Sequence, residues 1–362
     1  MKRIGITFGG YCPMHQGHLD LIMQAKKEND ICYVIVCGYD GEERGESVGL
    51  PLRRRVSLVR EMFRKDEQIR VLSINDTELG IDESMSESNW DTWLDAVRDE
   101  LGEWPLNCFT WYVAEPQYKE VLEKRGDLFS IITEVKLLEK KNPVSGTLIR
   151  SNPIKYWKKI AKPFRAYFST NILITGTASE GKSTLTRDIA TYFGIPYSEE
   201  YGRTYMELHG KTDVDLTIND FQEFLIEQRR DTKKKIESDA NEGIVISDTD
   251  NLVTLMYAGA YQEDDAIDLS YEDFESLYAF AKNLKRGITW DKIFVLPPKN
   301  KFVDDGTRYM KQSSMDERMQ NYHRLMGLIV SFGWDDKVEV LDGNYHENFL
   351  RVKEYIESKY EE

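Results

Sequence analysis

Two stretches of this 362-residue chain combine residue types and spacings suited to phosphate chemistry. The first is His15-Gln16-Gly17-His18, preceded by Thr7-Phe8-Gly9-Gly10. Its two imidazoles stand just before the apolar run Leu19-Asp20-Leu21-Ile22-Met23, hence at an expected helix N-terminus, where free amides and the helix dipole favour an anion. Phe8, Gly9 and Gly10 close a strand, and the two glycines let backbone approach a phosphate more closely than bulky side chains would. A histidine placed there can donate a hydrogen bond to phosphate oxygens as charge builds on a leaving pyrophosphate, which suits attack by an incoming phosphate on the α-phosphorus of ATP. No carboxylate or thiol marks a hydrolytic triad around the pair, and the tetrapeptide alone could equally be a structural turn. Further along, Ser145-Gly146-Thr147-Leu148-Ile149-Arg150 places two hydroxyls and an arginine around another expected helix N-terminus, again a phosphate-binding arrangement. A Ser/Thr cap with a surface arginine would look the same.

The second stretch is Gly176-Thr177-Ala178-Ser179-Glu180-Gly181-Lys182-Ser183, a complete G-x-x-x-x-G-K-[ST] motif. It follows the apolar strand Asn171 to Thr175 and runs through Thr184 into an amphipathic helix, the context in which such a loop binds nucleotide. Gly176, Gly181, Lys182, Ser183 and Thr184 are the expected ATP contacts. Backbone amides would cradle the phosphates, Lys182 would reach the β- and γ-oxygens, and the Ser183 hydroxyl would bind Mg2+. Ile244-Val245-Ile246-Ser247-Asp248-Thr249-Asp250 ends an apolar strand on aspartates, and Asp248 is the expected Mg2+ partner of Ser183. The two stretches use ATP differently, since one exposes the α-phosphorus and the other releases the γ-phosphoryl group.

These residues need elements to hold them. Strand candidates Arg3 to Phe8, Ile31 to Cys37, Ile69 to Ile74 and Cys108 to Val113 alternate with amphipathic helices, the rhythm of a doubly wound parallel sheet. Leu52, Val56, Val59 and Phe63 recur at helical spacing behind Pro51, with Arg and Glu expected on the opposite face. The rhythm starts again after the basic and aromatic stretch Tyr156 to Arg165, with strands at Gly243 to Ser247, Lys292 to Leu296 and Lys337 to Leu341 and a long helix from Thr217 to Asp239. The expected fold class is α/β: a Rossmann-like domain over residues 1–158, a linker over 159–169, and a P-loop domain over 170–362, each with a mostly parallel sheet.

A formal net charge of -15 argues against a protein whose task is to grip nucleic acid, because neutralising phosphates needs a basic face. Small anionic ligands remain compatible with it through a few local Arg and Lys. Cys12, Cys32, Cys37 and Cys108 form no C-x-x-C pair and read as reduced residues of a cytoplasmic protein. Neither a signal peptide nor an apolar stretch long enough to span a bilayer is visible.

H-x-G-H after the first strand, with S-G-T-x-I-R late in the same domain, resembles the nucleotidylyltransferases, and within them the nicotinamide mononucleotide adenylyltransferase part of NadR-type proteins. Val113-Ala114-Glu115-Pro116-Gln117-Tyr118 is similar to the family's segment after the fourth strand. The resemblance implies that His15 and His18 bind the ATP phosphates, that Gly9 and Gly10 line the triphosphate, and that Ser145, Thr147 and Arg150 hold its β- and γ-phosphates. Trp90 and Trp93 are candidates to stack on a cationic nicotinamide ring, Trp90 ahead of Trp93, although each could equally pack in the core.

The second half resembles the ribosylnicotinamide kinase domain of the same proteins. In that domain the E-Y-x-R segment, here Glu200, Tyr201 and Arg203, borders the phosphoryl acceptor. A carboxylate there could deprotonate a ribose hydroxyl, with Glu200, Asp248 and Asp250 all open for that role and Asp250 also a substrate contact. Arg308, ahead of Arg318, is the expected lid arginine over the transferring phosphoryl group.

The resemblance spans nearly the whole chain and implies a multifunctional transferase of NAD biosynthesis. Such an enzyme phosphorylates nicotinamide riboside to the mononucleotide (NMN) and adenylates NMN to NAD, using ATP and Mg2+. It also implies a homo-oligomer with functional coupling to a membrane transporter and no nucleic-acid partner. Some NadR proteins begin with a helix-turn-helix repressor domain, whereas this chain is expected to lack one, since Met1 leads directly into a strand. The rival readings are a fused phosphopantetheine adenylyltransferase/dephospho-CoA kinase and a nucleotide sensor without turnover.

Overall fold

The computed structural model describes residues 2–81, 86–102, 108–139, 144–264, 266–285, 288–303 and 313–361. The chain forms two α/β units, Met1–Phe168 and Ser169–Glu362. In the first, β1 (Ile4–Gly9), α1 (Gln16–Glu28), β2 (Ile31–Gly38), α2 (Glu43–Glu46), α3 (Leu52–Phe63) and β3 (Ile69–Asn75) are followed by α4 (Glu87–Leu101), β4 (Phe109–Val113), α5 (Pro116–Glu123), β5 (Glu134–Leu137) and α6 (Gly146–Ser151). The five strands pair in the order β3-β2-β1-β4-β5, all parallel. The strand order therefore reverses at β1, whose Ile4 sits opposite Ile31 of β2 on one side and Phe109 of β4 on the other. A crevice opens beyond the carboxyl ends of β1 and β4, where ligands bind in such sheets. The buried run of β2 and the inward residues Ile4 and Ile6 of β1 and Trp111 of β4 account for the central position of these strands, because a parallel sheet covered on both faces needs near-continuous apolar sequence.

The second unit contains β6 (Thr170–Gly176), α7 (Lys182–Phe193), β7 (Tyr197–Ser198), α8 (Tyr201–His209), α9 (Ile218–Glu237), β8 (Ile244–Asp248) and α10 (Asn251–Glu263). It continues with α11 (Tyr271–Leu284), β9 (Lys292–Leu296), α12 (Met315–Ser331), β10 (Val338–Val340) and α13 (Tyr345–Glu361). Its sheet is also parallel, in the order β10-β9-β6-β8-β7, so β6 lies between β9 and β8 and delivers the glycine-rich loop at the point of reversal. Leu173, Leu225, Leu255, Leu325 and Ile329 pack α9, α10 and α12 onto this sheet.

The stretch expected to be a linker is instead folded onto the first unit. Phe164 and Phe168 are buried, the Ala161 N–H donates to the Met14 carbonyl at 3.0 Å, and Ile160 bridges His15 as an isolated antiparallel pair. Its aromatic side chains explain the difference, since they bury apolar area that a solvated linker would leave exposed. All four cysteines are free thiols, and among the described residues no helix is long and apolar enough to cross a membrane.

Candidate active sites

In the first unit, β1 and α1 are joined by a turn that brings the two histidines face to face, with ring centroids 3.7 Å apart. The His15 backbone N–H donates to His18 Nδ1 at 3.3 Å. With Nδ1 accepting, the neutral ring of His18 carries its proton on Nε2, the nitrogen able to donate to a phosphate oxygen. Tyr11 supports this arrangement edge-on, its ring 4.9 Å from that of His18. Arg150 of α6 reaches back to the same turn, where Nη1 donates to the Cys12 carbonyl at 2.5 Å while Nη2 donates to Thr147 Oγ1 at 3.2 Å. Ser145 caps α6 by accepting from the Leu148 N–H at 3.2 Å. A Cβ on Gly146 would stand 2.8 Å from the Cys12 carbonyl oxygen, so this close approach requires glycine.

Phe8, Gly9, Gly10, His15, His18, Glu115, Ser145 and Gly146 line one cleft of about 630 Å3, a size suited to a nucleotide. Trp90 is buried and packs edge-on against Phe8 and Tyr118, with centroids 6.0 and 5.9 Å away. Both of those partners line the cleft.

The sequence reading missed one group here. Arg55 was expected on the polar face of α3, yet it is fully buried. Its guanidinium bonds the Gly10 carbonyl and Glu42, which also pairs with Arg44. Arg55 therefore ties the loop after β2 to the loop after β1. The half-exposed Arg44 guanidinium lies so close to Gly10 that a Cβ there would meet it at 2.8 Å. The signal was available, because Arg55 is three residues after Leu52 and four before Val59 and so shares the apolar face. Asp76, at the end of β3, is pushed up to about 6 by burial and by the neighbouring Glu42, with Arg44 and Arg55 opposing.

In the second unit, Gly176 and Gly181 take φ of 145° and 84°, values that favour glycine, so the loop adopts its arch. Lys182 is buried, and its Nζ donates to the Thr177 carbonyl at 2.8 Å. Lys182, Ser183, Thr184, Arg203, Phe302 and Val303 line a cavity of about 210 Å3. Asp248 closes the group: the Ser183 hydroxyl bonds it, and Lys182, Glu200 and Arg203 are near enough to perturb it. Its carboxyl is pushed above the usual range by burial and by the charge of Glu200, against the pull of Lys182, Ser183 and Arg203. Asp248 Oδ1 is buried without a hydrogen-bond partner among the described residues, a vacancy of the kind a cation fills. Arg203 Nη2 donates to Glu200 Oε2 at 3.4 Å.

Two expected contacts point elsewhere. Tyr201 donates its hydroxyl to Glu223 at 3.0 Å, and burial with that bond pushes it up to about 12. Asp250 caps α10, accepting from the Leu252 N–H at 3.0 Å and from Trp290 Nε1 at 2.9 Å, and its burial pushes it up to about 6. Both Asp250 oxygens are thus committed to holding structure, leaving Glu200 and Asp248 as the carboxylates beside the loop. Arg318 is buried against Glu180 and is not an exposed lid arginine, while Arg308 lies outside the described residues.

Residues 6–152 match the cytidylyltransferase-like family, and residues 171–348 match the AAA domain family. A crystal structure of NadR protein in complex with NR shares 33% identity at a TM-score of 0.78, covering 98% of this chain and 96% of that one. This chain belongs to the NadR family. A second NadR structure, in complex with NAD and AMP-PNP, shares 31% identity at a TM-score of 0.75 over the same shares of both chains. The trifunctional NAD biosynthesis/regulator proteins NadR of Salmonella typhimurium and Escherichia coli are each 25% identical over 98% of this chain and 83% of their own length. Membership of the NadR family makes the chain a bifunctional transferase that uses ATP.

Proposed function

We propose that the second unit phosphorylates nicotinamide riboside with ATP and that the first unit adenylates the resulting NMN to NAD. The observation that carries this reading is the whole-length similarity to a NadR protein bound to NR, which spans both clefts rather than one. In the first step the ribose hydroxyl attacks the γ-phosphorus, its proton passes to Glu200, and ADP leaves. Lys182 balances charge on the transferring group, with Arg203 holding Glu200 in place. Ser183, which lines the cavity, and the buried Asp248 fit a Mg2+ ion, which when bound would neutralise the phosphate oxygens.

In the second step an NMN phosphate oxygen attacks the α-phosphorus of another ATP and pyrophosphate leaves. His18 Nε2–H and Arg150 donate to the departing phosphates, and Arg44 adds positive charge beside Gly10. Phe8 and Tyr118 offer an aromatic wall to the cationic nicotinamide ring, while Trp90, expected to stack on that ring, is buried behind them. Lys182→Ala tests the assignment of the two steps. It should abolish phosphorylation of nicotinamide riboside and leave NAD formation from supplied NMN within about threefold of wild type, because the lost interaction lies only at the γ-phosphoryl site. Loss of both activities would refute it.

A further inference from the structure

The glycine-rich motif leaves its fifth position unrestricted, and here that position is a carboxylate, Glu180, inside the loop that must receive a polyanion. An unneutralised carboxylate there would repel the phosphates that the loop amides attract. The structure surrounds it with partners. Glu180 is buried and accepts from the backbone N–H groups of Lys299 at 3.2 Å and Asn300 at 3.3 Å, and from Asn300 Nδ2 at 3.0 Å. The Arg318 guanidinium, projecting from the first turns of α12, pairs with the same carboxylate. Arg318 Nη1 also donates to the Asn300 carbonyl at 2.8 Å. One residue earlier in the loop, Ser179 Oγ accepts from the Val303 N–H at 3.0 Å. Phe302 and Val303 are themselves walls of the cavity over Lys182 and Ser183.

We propose that Glu180 and Arg318 are positioning residues for ATP in the second unit. Arg318 cancels the charge of Glu180, and the pair fastens the crown of the phosphate loop to the 299–303 segment that walls the nucleotide cavity. The pair touches neither the acceptor nor the transferring group, so its effect falls on ATP binding. The inference rests on the kinase reading of this unit only for the identity of the acceptor.

The test compares Arg318→Met, Arg318→Lys and the double variant Glu180→Gln/Arg318→Met. The probe is Mg-AMP-PNP, with its dissociation constant read at the site that Lys182→Ala eliminates, so the readout does not depend on the acceptor. Arg318→Met should weaken binding about tenfold or more, since it leaves a buried, unneutralised carboxylate within the phosphate loop. The double variant, carrying no charge at either position, should return to within about threefold of wild type, as should Arg318→Lys. A double variant as weak as Arg318→Met, or a tenfold loss in Arg318→Lys, would overturn the proposal and leave the pair as packing alone. Turnover of nicotinamide riboside by the wild-type chain is measured in parallel: its absence would count against the kinase reading and leave the binding comparison intact.

Discussion

At the scale of single residues, both activities turn on which atoms face phosphate. His18 presents Nε2–H because its Nδ1 is occupied by the His15 backbone, so His18→Ala should lower kcat/KM for NAD formation from NMN by about 100-fold while sparing riboside phosphorylation. Steady-state assays of the two half-reactions check this, and an unchanged NMN reaction would contradict it. Glu200 is the carboxylate assigned to the ribose proton. Glu200→Gln should cut kcat for phosphorylation by about 100-fold or more with little change in the KM for ATP, the pattern of a lost general base. A rise in KM at constant kcat would point instead to a binding role. The histidine pair and the loop from Gly176 to Ser183 were legible in the sequence because their chemistry depends on neighbours only a few residues away. Tyr201 and Asp250 were less so: both lie beside the candidate carboxylates in sequence, yet a Glu223 hydrogen bond and a helix cap take their polar groups elsewhere.

At the scale of elements, strand and helix positions followed from apolar periodicity, while the short edge strands β5 and β7, each with few apolar residues, carried little such signal. Charge concealed the burial of two arginines that periodicity places among buried residues. Arg55 on α3 was assigned to solvent and Arg318 on α12 was the second candidate for a lid arginine, although each falls at helical spacing with buried residues of its own helix, Leu52 and Val59 in one case, Asn321 and Leu325 in the other. Charge was the wrong guide wherever an acid on another element, Glu42 or Glu180, waits as partner. The cap of α10 yields a prediction about stability. Asp250 takes up its proton near pH 6 when folded but only near its ordinary value of 3.8 when unfolded. The stability contributed by that proton is fully present below the unfolded value and is lost as pH rises through about 6. Asp250→Asn carries no charge but can accept only one of the two hydrogen bonds, because its NH2 group is a donor; it should therefore start from a constant deficit and gain on wild type by up to about 3 kcal/mol between about pH 4 and pH 7. Denaturant unfolding at the two pH values measures this, and a pH-independent difference would contradict it.

At the scale of the whole molecule, the order of the two units was readable because each opens with a strand leading straight into its phosphate loop, and the parallel sheets then place both loops at points of strand reversal. What the sequence could not display was the packing of residues 157–164 onto the histidine turn, since that depends on where Met14 and His15 end up in space. The order also gives the chain its economy: the product of the second unit has the phosphate that the first unit needs as nucleophile. The most direct measurement supplies the wild-type chain with Mg-ATP and nicotinamide riboside as sole acceptor and follows products by mass. The account predicts NMN first, then NAD with an equal amount of pyrophosphate. Unchanged riboside, with conversion of phosphopantetheine in a parallel reaction, would contradict it.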